Sequence, residues 1–197
     1  MGRVIVIEFT ALDGVIQDPD GSDGFRHGGW AFRYGPAAVA GDKFALGEIM
    51  QTGALLLGRR TWQRFAAIWP RRDDDFSRAM NAMPKLVLSK TLAQASEWQN
   101  SQILRGDLAE EVSVRGQAQD LVVAGSMSVA TALRRSDLVD EYRLLVFPLV
   151  IGEGTRLFSD GLAPIELNLV SAQAVGAAVR LIYSRAAAGG VRSAAAA

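Results

Sequence analysis

The chain has 197 residues, 49% of them apolar, with 21 basic and 21 acidic side chains and a formal net charge of zero. That balance excludes a general nucleic-acid binder, which is usually basic, and no run reaches the ~20 apolar residues a membrane helix needs. With no cysteine and one histidine, His27, a disulfide framework, a thiolate zinc site and a multi-histidine metal centre are excluded, so no metal site is expected.

The opening "MGRVIVIEFTALDG" alternates too regularly for a signal peptide and has no cleavage pattern. Residues 3–11 therefore read as a strand, and a cytoplasmic location is the simplest expectation. Residues 12–36 are rich in glycine and read as loop. Residues 37–52 predict a helix whose apolar face is Ala45, Leu46, Ile49 and Met50. The run 54–57 (ALLL) is a buried strand, and 59–68 a helix that ends before Pro70. Residues 71–75 form a charged loop. Strands follow at 85–88 (KLVL) and 101–104 (SQIL), and a helical pattern at 107–118. "DLVVAG" (120–125) is a strand, 126–135 a helix and 140–151 a long strand. Residues 165–185 read as two strands meeting near Gly176. Residues 187–197 are a low-complexity tail, and 1–186 form one domain without an internal repeat.

Strands alternating with helices predict a mainly parallel sheet covered on both faces. The final two strands have no helix between them and predict an antiparallel C-terminal hairpin. Its exposed edge makes a homodimer plausible.

In such a sheet, ligands gather beyond the carboxyl ends of the strands. Three segments fall there: Gly58-Arg59-Arg60-Thr61, Ser89-Lys90-Thr91, and Gly125-Ser126-Met127-Ser128. Two of them open helices, whose free N–H groups and positive dipole end suit phosphate. Arginine adds bidentate recognition. Any one segment alone has an ordinary structural explanation as a turn, a cap or a surface dipeptide; three on one edge are a better signal. Neither the dinucleotide fingerprint G-x-G-x-x-G nor a P-loop is present.

Two carboxylates stand out. Asp13, in "TALDG", follows the first strand, where it either approaches a substrate or forms the turn before Gly14. Asp42 precedes Ala45, Leu46, Ile49 and Met50 at helical spacing. That spacing puts it on the apolar face, partly desolvated and suited to holding a proton. A first-turn Asp complementing the helix dipole is the competing explanation. Asp73, Asp74 and Asp75 read as solvated loop, and His27 as a surface residue.

Together the motifs "TALDGVI", "LLLGRRTWQ", "KLVLSKTL", "LVVAGSMSVATAL" and "DEYRLLVFPLVIGEGTRLF" resemble the dihydrofolate reductase fold. They are most similar to its bacterial branch containing the reductase domain of riboflavin-biosynthesis deaminase-reductases. They occur in family order over about residues 4–185. The resemblance implies a three-layer α/β/α architecture with an eight-stranded, mainly parallel sheet and bound NADPH. It implies that Gly58, Arg59, Arg60 and Thr61 meet the cofactor phosphates. Ser89 and Lys90 would lie by the adenosine ribose and its 2′-phosphate, Gly125, Ser126 and Met127 would cradle the pyrophosphate, and Ala11, Leu12 and Asp13 would line the nicotinamide end. Asp42 lies 16 residues before Gly58, resembling the pterin-binding acid of true dihydrofolate reductases. The chain has Ala124-Gly125 where the family usually has a glycine pair, and it lacks the deaminase domain. The function implied is an NADPH-dependent reductase of a planar, pterin- or pyrimidine-like substrate, with Asp42 and Asp13 as candidate catalytic acids. A non-catalytic nucleotide-binding module is the competing class.

Overall fold

The computed structural model describes residues 2–158, 161 and 163–186; the predicted tail, 187–197, lies outside them. Period-two burial along the first strand, β1 (Val4–Ala11), sets the architecture. Ile5 and Ile7 enter one apolar core, Val4 and Val6 the other. Both faces of the strand are thus covered, as a parallel sheet requires.

Seven further strands follow: β2 (Ala54–Gly58), β3 (Lys85–Leu88), β4 (Ser101–Leu104), β5 (Leu121–Ala124), β6 (Glu141–Phe147), β7 (Leu167–Val175) and β8 (Ala178–Arg185). Their order is β4-β3-β2-β5-β1-β6-β8-β7. Pairing is parallel from β4 through β6 and antiparallel at β6-β8 and β8-β7. The C-terminal hairpin therefore closes one edge, and β7 leaves Leu169 and Val170 exposed there.

Five α-helices belong to the described residues: α1 (Ile49–Thr52), α2 (Arg59–Ile68), α3 (Asp75–Ala82), α4 (Leu108–Arg115) and α5 (Met127–Arg135). One core joins Trp62 of α2 and Met80 of α3 to Ile5, Leu55 and Leu57. The opposite core joins Val112 of α4 and Val129, Ala130 and Leu133 of α5 to Val6, Leu56 and Val123. The result is the expected three-layer α/β/α arrangement. No helix among the described residues is long and apolar enough to cross a membrane.

The predicted helix over 37–52 is absent. A 3-10 turn covers Pro36–Ala38, and only Ile49–Thr52 is α-helical. Between them Ala45 and Gly47 both take φ of 52°, a left-handed conformation that no α-helix can contain. The apolar spacing still buries Phe44, Leu46 and Met50; an irregular chain delivers them. The charged run also differs from the reading. Asp74 caps α3, accepting from Ser77 N at 3.0 Å and from Ser77 Oγ at 2.6 Å. The strand predicted over 140–151 ends at Phe147, where Pro148 removes a donor.

The glycine-rich loop is built rather than slack. Asp18 is buried and accepts from Asp23 N (2.8 Å) and Phe25 N (3.0 Å). Trp30, fully buried, donates its Nε1–H to Gln17 O at 2.9 Å. Asp23 pairs with Arg64 of α2, which ties the loop to the carboxyl ends of the strands.

Candidate active site

The parallel strands β2, β3 and β5 end side by side, so the segments after them meet. A cleft of about 610 Å³ lies there, lined by Gly58, Arg59, Arg60, Thr61, Ser89, Lys90, Gly125, Ser126 and Met127, among others. All three segments singled out from the sequence thus reach one cleft. Two hydrogen bonds join their loops. Gly58 N–H donates to Ser126 Oγ at 2.9 Å, and Thr61 Oγ1 donates to Gly125 O at 3.3 Å.

Two of the helix starts at this cleft carry no side-chain cap. At α3 and α4, Asp74 and Asp107 accept hydrogen bonds from the first-turn amides. At α2 and α5, whose caps are Gly58 and Ser126, no side chain does so. Ser126 is 2% exposed and holds Gly58 instead. First-turn N–H groups of both helices remain available to an anion.

The cations divide the same way. Arg64 is committed to Asp23, and Arg105 donates to the carbonyls of Ser89, Lys90 and Leu92. Arg59, Arg60 and Lys90 are exposed at the lip and form no ion pair among the described residues. The donor set suits a ligand with several phosphates, so it fits a dinucleotide.

A second cavity, about 240 Å³, adjoins the cleft and shares Asp23, Thr61, Arg64, Gly125 and Met127 with it. Its walls are mainly aromatic and aliphatic, including Phe9, Phe44, Phe65, Trp69 and Phe76. Lys43 lies 5.2 Å from the Phe9 ring centroid and 5.7 Å from that of Phe76. Burial pushes its ammonium down to about 8, despite the opposing pull of Asp42.

Three predicted residues stand differently from the expectation. Asp42 is at the cavity, but on a bend and exposed, with its carboxylate accepting from Leu46 N (2.7 Å) and Gly47 N (2.8 Å). It holds a turn together; it is not a desolvated acid on a helix face. Ala11 and Asp13 line neither cavity. Asp13 accepts from Gly152 N at 2.7 Å and lies 3.7 Å from Arg156. Partial burial would raise its carboxyl, but the backbone amides of Gly152 and Ile151 outweigh this and hold it low. Asp13 thus pins the loop after β6. For Asp42→Asn the expected result is a loss of about 1 kcal/mol of stability, the scale of a lost cap. Turnover should stay within ~2-fold of the parent, since the proton-transfer loss would be ~100-fold; thermal melting and steady-state rates check both.

One acid went unnoticed in the sequence. Glu8, inside the apolar run "VIVIEFTA", is 3% exposed, and its Oε1 has no hydrogen-bond partner. It lines the second cavity. Its signal was available: a lone carboxylate in an otherwise apolar strand of a sheet buried on both faces.

Comparison with known proteins agrees with this fold. Residues 3–181 match the family of the RibD C-terminal domain, and the chain belongs to that family. It is 28% identical over 142 residues to the uncharacterized protein YyaP of Bacillus subtilis (strain 168), covering 68% of this chain and 74% of YyaP. Among solved structures, a candidate riboflavin biosynthesis protein from Shewanella sp. PV-4 superposes with TM-score 0.71 and 21% identity. The match covers 95% of this chain and 100% of that one. A pyrimidine reductase-like protein from Corynebacterium diphtheriae gives TM-score 0.59 and 12% identity, over 94% and 92% of the two chains. Acinetobacter baumannii RibD gives 0.60 and 15%, over 94% of this chain and 58% of its own. At these identities the structures share the fold.

Proposed function

We propose that the protein is a reductase that uses NADPH to reduce a planar heterocycle of pyrimidine or pterin type. One observation carries the reading: two helix N-termini without side-chain caps, with Arg59, Arg60 and Lys90 around them, share a cleft that runs into an aromatic-walled cavity. A pyrophosphate suits the first-turn amides of α2 and α5. The free cations suit an additional 2′-phosphate. NADPH supplies a hydride when bound; the residues of this chain bind, orient and exclude water. Phe9, Phe44, Phe65 and Trp69 offer faces on which a flat ring stacks. The names of the related structures point the same way, one from Thermotoga maritima being a deaminase/5-amino-6-(5-phosphoribosylamino)uracil reductase.

The test has two parts. NADPH should bind at least ~10-fold more tightly than NADH, about 1.4 kcal/mol, and Arg60→Ala should narrow the gap. Absorbance should then show NADPH consumed with a pyrimidine or pterin from a small panel. Equal affinities for the two nucleotides, or nucleotide binding with no turnover across the panel, would favour a binding module instead.

A further inference from the structure

Glu8 has no structural reason to be an acid. Neighbouring β1 positions are filled by Val4, Ile5, Val6 and Ile7, and a buried carboxyl without a donor or cation costs free energy that another Val or Leu would not. Its placement is specific. In the β1-β5 pairing Ile7 lies opposite Ala124, so Glu8 stands level with Gly125. Gly125, with Thr61 and Met127, belongs both to the phosphate-binding cleft and to the aromatic cavity. Glu8 therefore lines the aromatic cavity at the level of Gly125, a residue both spaces share.

The other charged groups of that cavity are committed elsewhere. Lys43 donates to Val39 O, Arg64 pairs with Asp23, and Arg72 stacks 5.2 Å from the Trp69 ring centroid. Asp18 and Asp42 hold backbone amides, and Asp20 accepts from Ser22. On the neighbouring strand, Arg143 is held by Glu141 at 2.5 Å, and the Tyr142 hydroxyl is buried without a partner. No ion pair reaches Glu8 among the described residues. Burial alone pushes its carboxyl up to about 8, so it carries a proton near neutral pH.

We propose that Glu8 is the catalytic acid of this site, giving its carboxyl proton to the substrate atom that gains electron density as the hydride arrives. This rests on the reductase reading above. For a C=N bond, the carbon gains a hydride from the reduced nicotinamide nucleotide, which is oxidised. The nitrogen takes the Glu8 proton. The products are a CH–NH unit, the oxidised nucleotide and a Glu8 carboxylate, which recovers a proton from water.

The experiment compares the whole chain with Glu8→Gln by two readouts. The first needs no ligand. The folded protein keeps the Glu8 proton up to about 8, whereas the unfolded chain releases it near 4.5. Between these values the native state binds more protons, so stability falls as pH rises. The parent's melting temperature should fall across that window by more than that of Glu8→Gln, and an infrared carboxylic-acid band should be missing from the variant. The second is reduction of 5-amino-6-(5-phosphoribosylamino)uracil and of a dihydropterin with NADPH. Glu8→Gln should lose ~100-fold in turnover while NADPH affinity moves by less than ~2-fold. The parent's rate should fall above about pH 8, following the Glu8 ionisation. A parent that reduces a probe beside a Glu8→Gln variant within ~3-fold of it would overturn Glu8 alone. A parent that reduces neither probe would overturn the reductase reading with it. A carboxyl already ionised at pH 6 in the parent would also overturn the proposal.

Discussion

Gly125→Val should weaken NADPH binding by ~100-fold or more, about 2.7 kcal/mol, while the chain still folds. Gly125 takes φ of 61° directly after β5. A Cβ there would meet only Thr61 Cγ2, at 4.0 Å, so space is not the obstacle. Backbone conformation is: a β-branched residue strongly disfavours the left-handed region, and relief of ~1–3 kcal/mol of strain would re-aim the peptide that leads into α5. The Thr61 Oγ1 bond to Gly125 O would be disturbed with it. Gly125→Asn should be milder, since asparagine tolerates this region. Calorimetric titration of both variants checks the order. Unchanged affinity in Gly125→Val would put the nucleotide somewhere other than this cleft.

Trp30→Ala should cost about 3–5 kcal/mol, a large share of the ~5–15 kcal/mol that holds a typical domain together. The indole is fully buried, packs edge-on to Phe147 at 5.5 Å between centroids, and donates to Gln17 O. It anchors the loop that carries Asp18 and Asp23 to the second cavity. Removing it leaves a void and frees the loop, so the Asp23–Arg64 pair loses its footing. Melting should drop by roughly 10 °C for a chain of this size. Trp30→Phe should recover much of that, keeping one aromatic ring against Phe147 while losing the rest of the indole and one hydrogen bond of about 1 kcal/mol. Equal losses in both variants would mean that the indole N–H, rather than packing, holds the loop.

What the sequence made legible follows from how local the deciding forces are. The helix Arg59–Ile68 and the strands Lys85–Leu88 and Ser101–Leu104 were read at their observed bounds. In these segments apolar spacing, glycine and proline all agree. Three short strand-to-loop junctions then had to share a cleft, because a parallel sheet puts its carboxyl ends together. The stretch 37–52 failed for the opposite reason. Leu46 and Met50 are indeed buried, but a helix is only one way to bury residues four apart, and positive φ at Ala45 and Gly47 takes the chain another way. Asp42 was misplaced with it. The helix Asp75–Ala82 had a legible start in Asp74 and Ser77, which a reading of three adjacent acids as solvated loop passed over. Glu8 was hidden by its neighbours. Counted as part of an apolar strand, it drew no attention, yet the same buried context is what makes its carboxyl unusual.

A dinucleotide should lie with its phosphates on the first turns of α2 and α5. A crystal structure of the protein soaked with NADPH tests it most directly. Pyrophosphate density should appear at the amides following Gly58 and Gly125, the 2′-phosphate among Arg59, Arg60 and Lys90, and the nicotinamide turned toward the cavity that Glu8 lines. Density for the nucleotide outside this cleft, or with its nicotinamide turned away from that cavity, would contradict it.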